Sequence, residues 1–250
     1  SLTRSYGDFF IKNNRIGFNQ LDLRNHKNLI FEIFVKIGQR KDLTHIDTST
    51  ARILKENIHL IDAEFINNHK YSQQFLNILK SPYNLSSILR KMKRLGIIQA
   101  YISEFSEVVG QMQFDLFHVY TVDEHTFKVV RNMRQMKINQ LGDGFEIENE
   151  LINRLPKIEI LYIAGLFHDL GKGKGGNHSE IGAKTSYNFA IKLGMSLYDA
   201  NLISWLVLNH LEMSSISQRK DIHDPSTIDD FALTCGCLLY TSDAADDSLR

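Results

Sequence analysis

The sequence predicts an all-α protein with a short extended hairpin at its N-terminus. Proline is scarce, at three in 250 residues, and apolar residues recur three and four positions apart along most of the chain. That spacing is typical of amphipathic helices. Alternation of apolar and polar residues, the period of a β-strand, is confined to roughly the first 20 residues.

The extended part is predicted around a turn at residues 12–14. Phe9 and Ile11 stand at alternate positions before it, and Ile16 and Phe18 do so after it. Lys-Asn-Asn between them is prone to turn, so the two runs are expected to pair as a hairpin.

Helical spacing then predicts four amphipathic helices in the first half of the chain. They cover residues 28–38, 48–62, 71–80 and 84–95. The last of them carries a basic cluster, which is typical of a solvated helix face. A surface that receives a charged partner is the alternative interpretation. The cluster comprises Arg90, Lys91, Lys93 and Arg94.

Helix-start signals organise the second half of the chain. Thr121 with Glu124 has the form of a capping box that opens a helix to about residue 137. Residues 139–155 are interpreted as a loop or insertion. Pro156 suits the first turn of the next helix, residues 157–170, which is apolar on nearly all sides and is therefore expected to be buried.

Three further helices are predicted from their N-terminal residues. Asn177 with Glu180 opens a helix that ends near Gly194, and Ser196 with Asp199 opens the next. Asp224-Pro225 begins the last one.

Composition excludes several classes of function. Lys+Arg and Asp+Glu are both 29, so no net charge draws the chain to nucleic acid or to an anionic membrane. No apolar run approaches the ~18 residues of a membrane span. The two cysteines, Cys235 and Cys237, cannot form a disulfide framework, which fits a reducing cytosol. A cytoplasmic protein without nucleic-acid or membrane partners is predicted.

Both ends of the sequence carry expectations. The chain starts SLTRSYGDFF without Met and is expected to begin inside a longer protein. The ending CGCLLYTSDAADDSLR resembles a translated sequencing adaptor, so residues 235–250 are expected to be non-native. A frayed natural terminus is the alternative.

A set of histidines at predicted helix ends is the strongest chemical signal. His168-Asp169 closes the buried helix, and a buried carboxylate needs a partner. A metal ion supplies one, and imidazole with carboxylate suits Mn, Fe, Zn or Mg. Two such ions ~3.5–4 Å apart would clamp a phosphoryl group. Taken singly, each of His118, His178 and His210 is better interpreted as a hydrogen-bonded structural histidine; the ordered set, with His125, favours metal.

The glycine-rich run 171–176 also matches G-x-G-x-x-G. A dinucleotide site would need strands around it, whereas the segment before it is predicted to be helical. A P-loop does not fit, because Lys172 is followed by glycine. The run is therefore interpreted as a tight turn, with Lys172 and Lys174 facing either a substrate phosphate or solvent.

Three longer stretches resemble a known family. VGQMQFDLFHVYTVDEHT (109–126), LFHDLGKGKGGNHSEIGA (166–183) and WLVLNHLEMSSISQRKDIHDP (205–225) are similar to the HD domain of the bifunctional PII uridylyltransferase/uridylyl-removing enzymes. The resemblance implies a helical region at 1–105, which follows a nucleotidyltransferase core, and an HD domain at 106–234 that is cut short.

The resemblance implies an activity and its partners. In this family the HD domain hydrolyses the phosphodiester between UMP and a tyrosine of the regulatory protein PII, and glutamine stimulates the reaction. A separate domain attaches UMP from UTP, and C-terminal domains sense glutamine. The partners expected here are PII and its UMP-modified form.

The resemblance also implies roles for single residues. Lys172 corresponds to a lysine that contacts the scissile phosphate, and Asp169 and Lys172 are the expected catalytic residues. A divalent metal is expected, Mg or Mn before Fe or Zn. Its expected ligands are His125, His168, Asp169, His178 and His210.

Two departures from the family pattern limit this expectation. The transferase motif, Gly-Ser followed by D-x-D, does not occur, so UMP transfer is not expected of this chain. The closing Asp of HD domains falls in the suspect ending, where Ala245-Asp246 imitates it. Another HD phosphohydrolase acting on free nucleotides, or a non-catalytic helical module that holds a metal, remains an alternative.

Overall fold

A computed structural model describes residues 4–19, 22–111, 120–140, 142, 144–174, 177–219 and 224–247. Within these ranges it describes the backbone but not the side chains of residues 4, 6, 173, 174, 217, 219 and 237–247. The all-α class with an N-terminal hairpin is confirmed. No helix in these ranges combines the length and apolar composition that a bilayer crossing requires.

The extended part is a small four-stranded sheet. The predicted hairpin is present, with Phe9 opposite Phe18 and Lys12 opposite Arg15. Asn13 and Asn14 form its turn, both with positive φ, as a two-residue hairpin turn requires. Two very short strands, one antiparallel and one parallel to the hairpin, complete the sheet. The strands are β1 (Arg4–Tyr6), β2 (Phe9–Lys12), β3 (Arg15–Phe18) and β4 (His45–Ile46).

The helices of the first half enclose an aromatic core. The ring of Tyr101 lies 4.9 Å from that of Phe31 and 5.0 Å from that of Phe75. These helices are α1 (Leu29–Gly38), α2 (Thr48–Glu56), α3 (Ala63–Ile66), α4 (His69–Leu79), α5 (Leu85–Arg94), α6 (Ile97–Tyr101) and α7 (Phe105–Val108).

The second half is a bundle around one buried helix, α10, which carries the fully buried Tyr162 and Phe167. It contacts α8, α11 and α12, and a 3₁₀ turn at Leu170–Lys174 follows it. The helices are α8 (Val122–Lys137), α9 (Glu146–Arg154), α10 (Ile158–Phe167), α11 (His178–Lys192), α12 (Leu197–Leu208), α13 (Glu212–Arg219) and α14 (Pro225–Asp247).

The two halves share one hydrophobic core. Phe189 of α11 places its ring 5.8 Å from that of Phe75 and 6.0 Å from that of Tyr101. Beside this contact, the Ser72 hydroxyl donates to the Lys192 carbonyl at 3.3 Å. The N-terminal helices therefore support the helix that opens at His178.

The structure corrects some local predictions. The loop interpretation of 139–155 is wrong for α9, whose apolar residues Ile147 and Leu151 are 71% and 58% exposed. Thr121 stands at the N-cap of α8 without a side-chain capping bond, and α13 was not predicted. The cap at Ser196 is confirmed, since its hydroxyl accepts from the Asp199 amide at 3.1 Å. α14 begins at Pro225 as predicted.

Candidate metal centre

The five residues predicted as metal ligands lie around one cavity of about 520 Å³. Each comes from a helix end. His125 lies in the first turn of α8, and His168 caps the end of α10, with Asp169 next along the chain. His178 begins α11, and His210 follows the end of α12. The connections from α10 to α11 and from α11 to α12 are short, whereas α9 lies between α8 and α10.

Asp169 lies at the centre of the cluster. Its side chain is 3% exposed. Its Oδ2 atom is 3.3 Å from His168 Nε2 and 3.8 Å from His125 Nε2. The other oxygen, Oδ1, lies 3.7 Å from His210 Nε2. The two oxygens therefore face different histidines.

This arrangement gives two groups of potential ligands that share Asp169. One group is His125, His168 and Asp169, and the other is Asp169, His178 and His210. Within each group the ligand atoms lie within 4.8 Å of one another. A carboxylate that belongs to both groups has one oxygen available to each of them.

Backbone carbonyls orient two of the imidazoles. His168 Nδ1 lies 2.9 Å from the Gly165 carbonyl oxygen, and His210 Nδ1 lies 2.7 Å from that of Val207. An Nδ1–H that donates to a carbonyl leaves the Nε2 lone pair free for a metal. The carbonyls are available because helix ends leave their last acceptors without helical partners.

Two buried imidazole nitrogens are available to bind a cation. Nε2 of His178 and Nε2 of His210 are buried and have no hydrogen-bond partner among the described residues. Buried polar atoms without partners are rare and call for an explanation. Burial also lowers the pKa of both imidazoles, which favours the neutral form that binds metal. The donor set thus fits a bound cation.

The positive charge of Lys172 lies beside the negative charge of Asp169. Its ammonium lies 3.0 Å from Asp169 Oδ2. Burial by itself raises the pKa of Asp169, but the hydrogen bonds and charges of His168 and Lys172 outweigh it and hold that pKa well below its ordinary value. The carboxylate is therefore ionised near neutral pH.

Two glycines allow the backbone segments around the site to pack closely together. A Cβ on Gly171 would lie 2.2 Å from the His178 carbonyl oxygen, so only glycine lets the turn pass this close to the start of α11. A Cβ on Gly182 would lie 3.0 Å from both the Phe167 carbonyl and a Val207 methyl group. Both glycines allow close packing beside the site, and that of Gly171 agrees with the tight-turn interpretation.

Some predicted residues are not tested by the structure, and one feature was not predicted. The side chains of Lys174 and Asp246, and the whole of His118, lie outside the described residues.

The unpredicted feature is an apolar wall beside the cluster. Val129 and Met133 in that wall follow His125 at intervals of four along α8, a spacing that was available as a signal. The wall also includes Leu161, Leu206 and Leu211.

The helical bundle with a His-Asp pair at its centre defines an HD-domain protein, and residues 122–235 match the HD domain family. Residues 9–101 match the family described as the uridylyltransferase GlnD third domain. The chain belongs to the family of bifunctional uridylyltransferase/uridylyl-removing enzymes.

Curated relatives carry that family's name. The enzyme from Pseudomonas entomophila (strain L48) is 43% identical over 207 residues, 83% of this chain and 23% of the relative. That from Pseudomonas fluorescens (strain SBW25) is 44% identical over 203 residues, 81% of this chain and 23% of the relative. The chain therefore spans about a quarter of the length of these relatives.

Proposed function

We propose that this chain carries the uridylyl-removing activity of its family, the metal-dependent hydrolysis of UMP from the uridylylated PII protein. The observation that supports the proposal is the pair of ligand groups that share Asp169 in one cavity. Two cations held this way match the requirements of phosphodiester hydrolysis, which needs both an activated water and charge stabilisation at the phosphate.

The five residues of the two groups would hold the ions, and Asp169 is the residue that belongs to both groups. When bound, divalent ions supply Lewis acidity to the phosphoryl oxygens and lower the pKa of a coordinated water. Imidazole nitrogens outnumber carboxylates in the donor set, and this mixture suits Mn²⁺ better than Mg²⁺, with Fe and Zn as alternatives.

The protein's own residues then have defined tasks. Asp169 remains ionised, and the carbonyls of Gly165 and Val207 fix the rings of His168 and His210. Lys172 places a positive charge at the edge of the cluster, where it stabilises the negative charge that develops on the phosphate. The apolar wall lowers the local dielectric and strengthens each of these interactions.

The partners are part of the proposal. The relatives' printed name contains both uridylyltransferase and uridylyl-removing enzyme, and only the second activity is proposed for these residues, because the transferase motif does not occur in them. PII and its UMP-modified form are the proposed partners. Stimulation of this activity by glutamine belongs to the same proposal.

Release of UMP from uridylylated PII tests the proposal. With Mn²⁺ present, the chain is expected to release UMP, and Asp169→Asn and His168→Gln are each expected to reduce the rate by about a hundredfold or more, since each loses a ligand. His59→Gln, at an exposed histidine far from the cavity in sequence, serves as the matched control. Unchanged release by Asp169→Asn would refute the assignment.

Two other outcomes would identify the alternatives. Hydrolysis of free nucleotides without hydrolysis of uridylylated PII would indicate a different HD phosphohydrolase. Stoichiometric metal with no hydrolysis of any phosphodiester would indicate a non-catalytic module.

A further inference from the structure

A second cavity of about 390 Å³ lies against the metal centre. The two cavities share two wall residues, Leu161 of α10 and Leu206 of α12. We name this second cavity the apolar cleft. Its lining consists of Leu155, Pro156, Lys157, Ile160, Leu161, Tyr198, Asp199, Leu202 and Leu206.

The apolar cleft offers almost no free polar group. Lys157 and Asp199 line it, but the Lys157 ammonium lies 3.0 Å and 2.7 Å from the two Asp199 oxygens. The ammonium and the carboxylate therefore pair with each other, and together they present no net charge to the cleft. Tyr198, 48% exposed, carries a hydroxyl on a side chain that reaches solvent. A ligand that fills the cleft must therefore be apolar over most of its surface.

The proposed substrate has one aromatic ring on each side of its phosphate. One is the pyrimidine of UMP, which is joined to the phosphate through the ribose and whose edge carries two carbonyl oxygens and an N–H that need partners when buried. The other is the phenyl ring of the modified tyrosine. Its oxygen is esterified to phosphorus, so the ring itself carries no hydrogen-bonding edge. An apolar enclosure therefore strongly disfavours the pyrimidine and accepts the phenyl ring.

We infer that the apolar cleft binds the phenyl ring of the tyrosyl ester while the phosphate occupies the neighbouring metal centre. This inference rests on the proposed function and adds to it the site for the leaving group. Leu161 and Leu206 line both cavities, so the two cavities are adjacent, as a single ester that reaches into both requires. Leu202 lines the cleft, and Tyr198 lies at its rim.

Two non-hydrolysable phosphonates test the inference by calorimetry on the 250-residue chain with Mn²⁺. Phenylphosphonate and methylphosphonate present the same anion and differ in the ring. Phenylphosphonate is expected to bind about tenfold more tightly, because burial of the ring removes apolar surface from water. Leu202→Ser is expected to abolish this preference. Leu208→Ser, on the same helix but outside the cleft, is expected to retain it.

A second variant covers the case in which Leu202→Ser does not fold. Tyr198→Ala, at a half-exposed rim position, is expected to reduce the preference for phenylphosphonate by about threefold or more, as a partial loss of ring contact. A preference that survives in both variants would overturn the inference.

The remaining outcomes separate this inference from the proposed function. Equal binding of the two phosphonates would overturn the inference and leave the metal centre and the hydrolase proposal in place. If UMP alone bound more tightly than methylphosphonate and lost this advantage in Leu202→Ser, the nucleobase would occupy the cleft and the inference would be wrong. If neither phosphonate bound, the phosphate site itself would be refuted together with the inference.

Discussion

Gly171→Ala tests whether close backbone packing positions the metal centre. The added Cβ would lie 2.2 Å from the His178 carbonyl oxygen and 2.8 Å from its Cα. The first distance falls roughly 1.2 Å short of ordinary van der Waals contact, which begins at 3.4 Å. Both neighbours are backbone atoms, so no side-chain rotation relieves the clash. Either the turn or the start of α11 must move by about an ångström.

That displacement has two measurable consequences. Overpacking of this kind costs about 2 kcal/mol, a fall in Tm of roughly 4–8 °C for a chain of this size. Movement of His178 also disturbs the ligand group that it forms with Asp169 and His210. A misplacement of about an ångström in a catalytic site reduces turnover by about a hundredfold.

The assay combines thermal unfolding, Mn²⁺ titration and hydrolysis of a phosphodiester. Gly171→Ala is expected to lower Tm and to weaken metal binding, with most of the helical circular dichroism retained. Gly236→Ala is the matched control, because a Cβ at that helical position meets nothing within 4 Å. A Gly171→Ala variant with unchanged Tm and unchanged metal affinity would refute the reasoning.

Three further predictions concern the core, the pH dependence and the metal. Phe189→Ala is expected to lower the free energy of unfolding by about 3–5 kcal/mol in urea titration, whereas Phe145→Ala, at a more exposed position, should change it by less than about 0.5 kcal/mol. Burial raises the pKa of Asp123, but the hydrogen bonds from Lys93, Thr121 and the Gly110 amide, with the Lys93 charge, together outweigh it and hold that pKa below 3.8. A pKa lower in the folded state means that the stabilisation is present above about pH 4 and is lost as the pH falls through the folded-state value. Asp123→Asn should therefore flatten the acid limb of the Tm–pH profile, and an unchanged limb would contradict this. Removal of metal with a chelator is expected to lower Tm, since a ligand at a hundred times its Kd stabilises by about 2.7 kcal/mol. His210→Gln should reduce the Mn²⁺-dependent rise in Tm, and a rise equal to that of the unaltered chain would count against the second ligand group.

The sequence predicted the parts of the fold that depend on local pattern. The hairpin turn at Asn13 and Asn14 and the cap at Ser196 follow from short-range chemistry that needs no distant partner. The buried helix α10 follows from its apolar residues on all sides. Its end at His168-Asp169 then placed a carboxylate in the interior, where it needs a partner.

Other features depend on contacts that a single sequence does not display. α9 leaves Ile147 and Leu151 exposed, so its apolar residues do not form the buried stripe by which a helix is recognised. Strand β4 has two residues and exists only because it pairs with β3. The division of the Asp169 oxygens between two sets of histidines likewise depends on how four helix ends meet in space.

α11 links the shared core to the metal centre. His178 is its first residue, and Phe189, eleven residues later, contacts Phe75 and Tyr101. At 1.5 Å per residue the two points lie roughly 16 Å apart on one rigid axis. A tilt imposed on the Phe189 end therefore displaces an imidazole at the other end. Gly182 lies between these two points, where the helix passes close to the Phe167 carbonyl, so one continuous helix couples the packing of Phe189 to the position of His178.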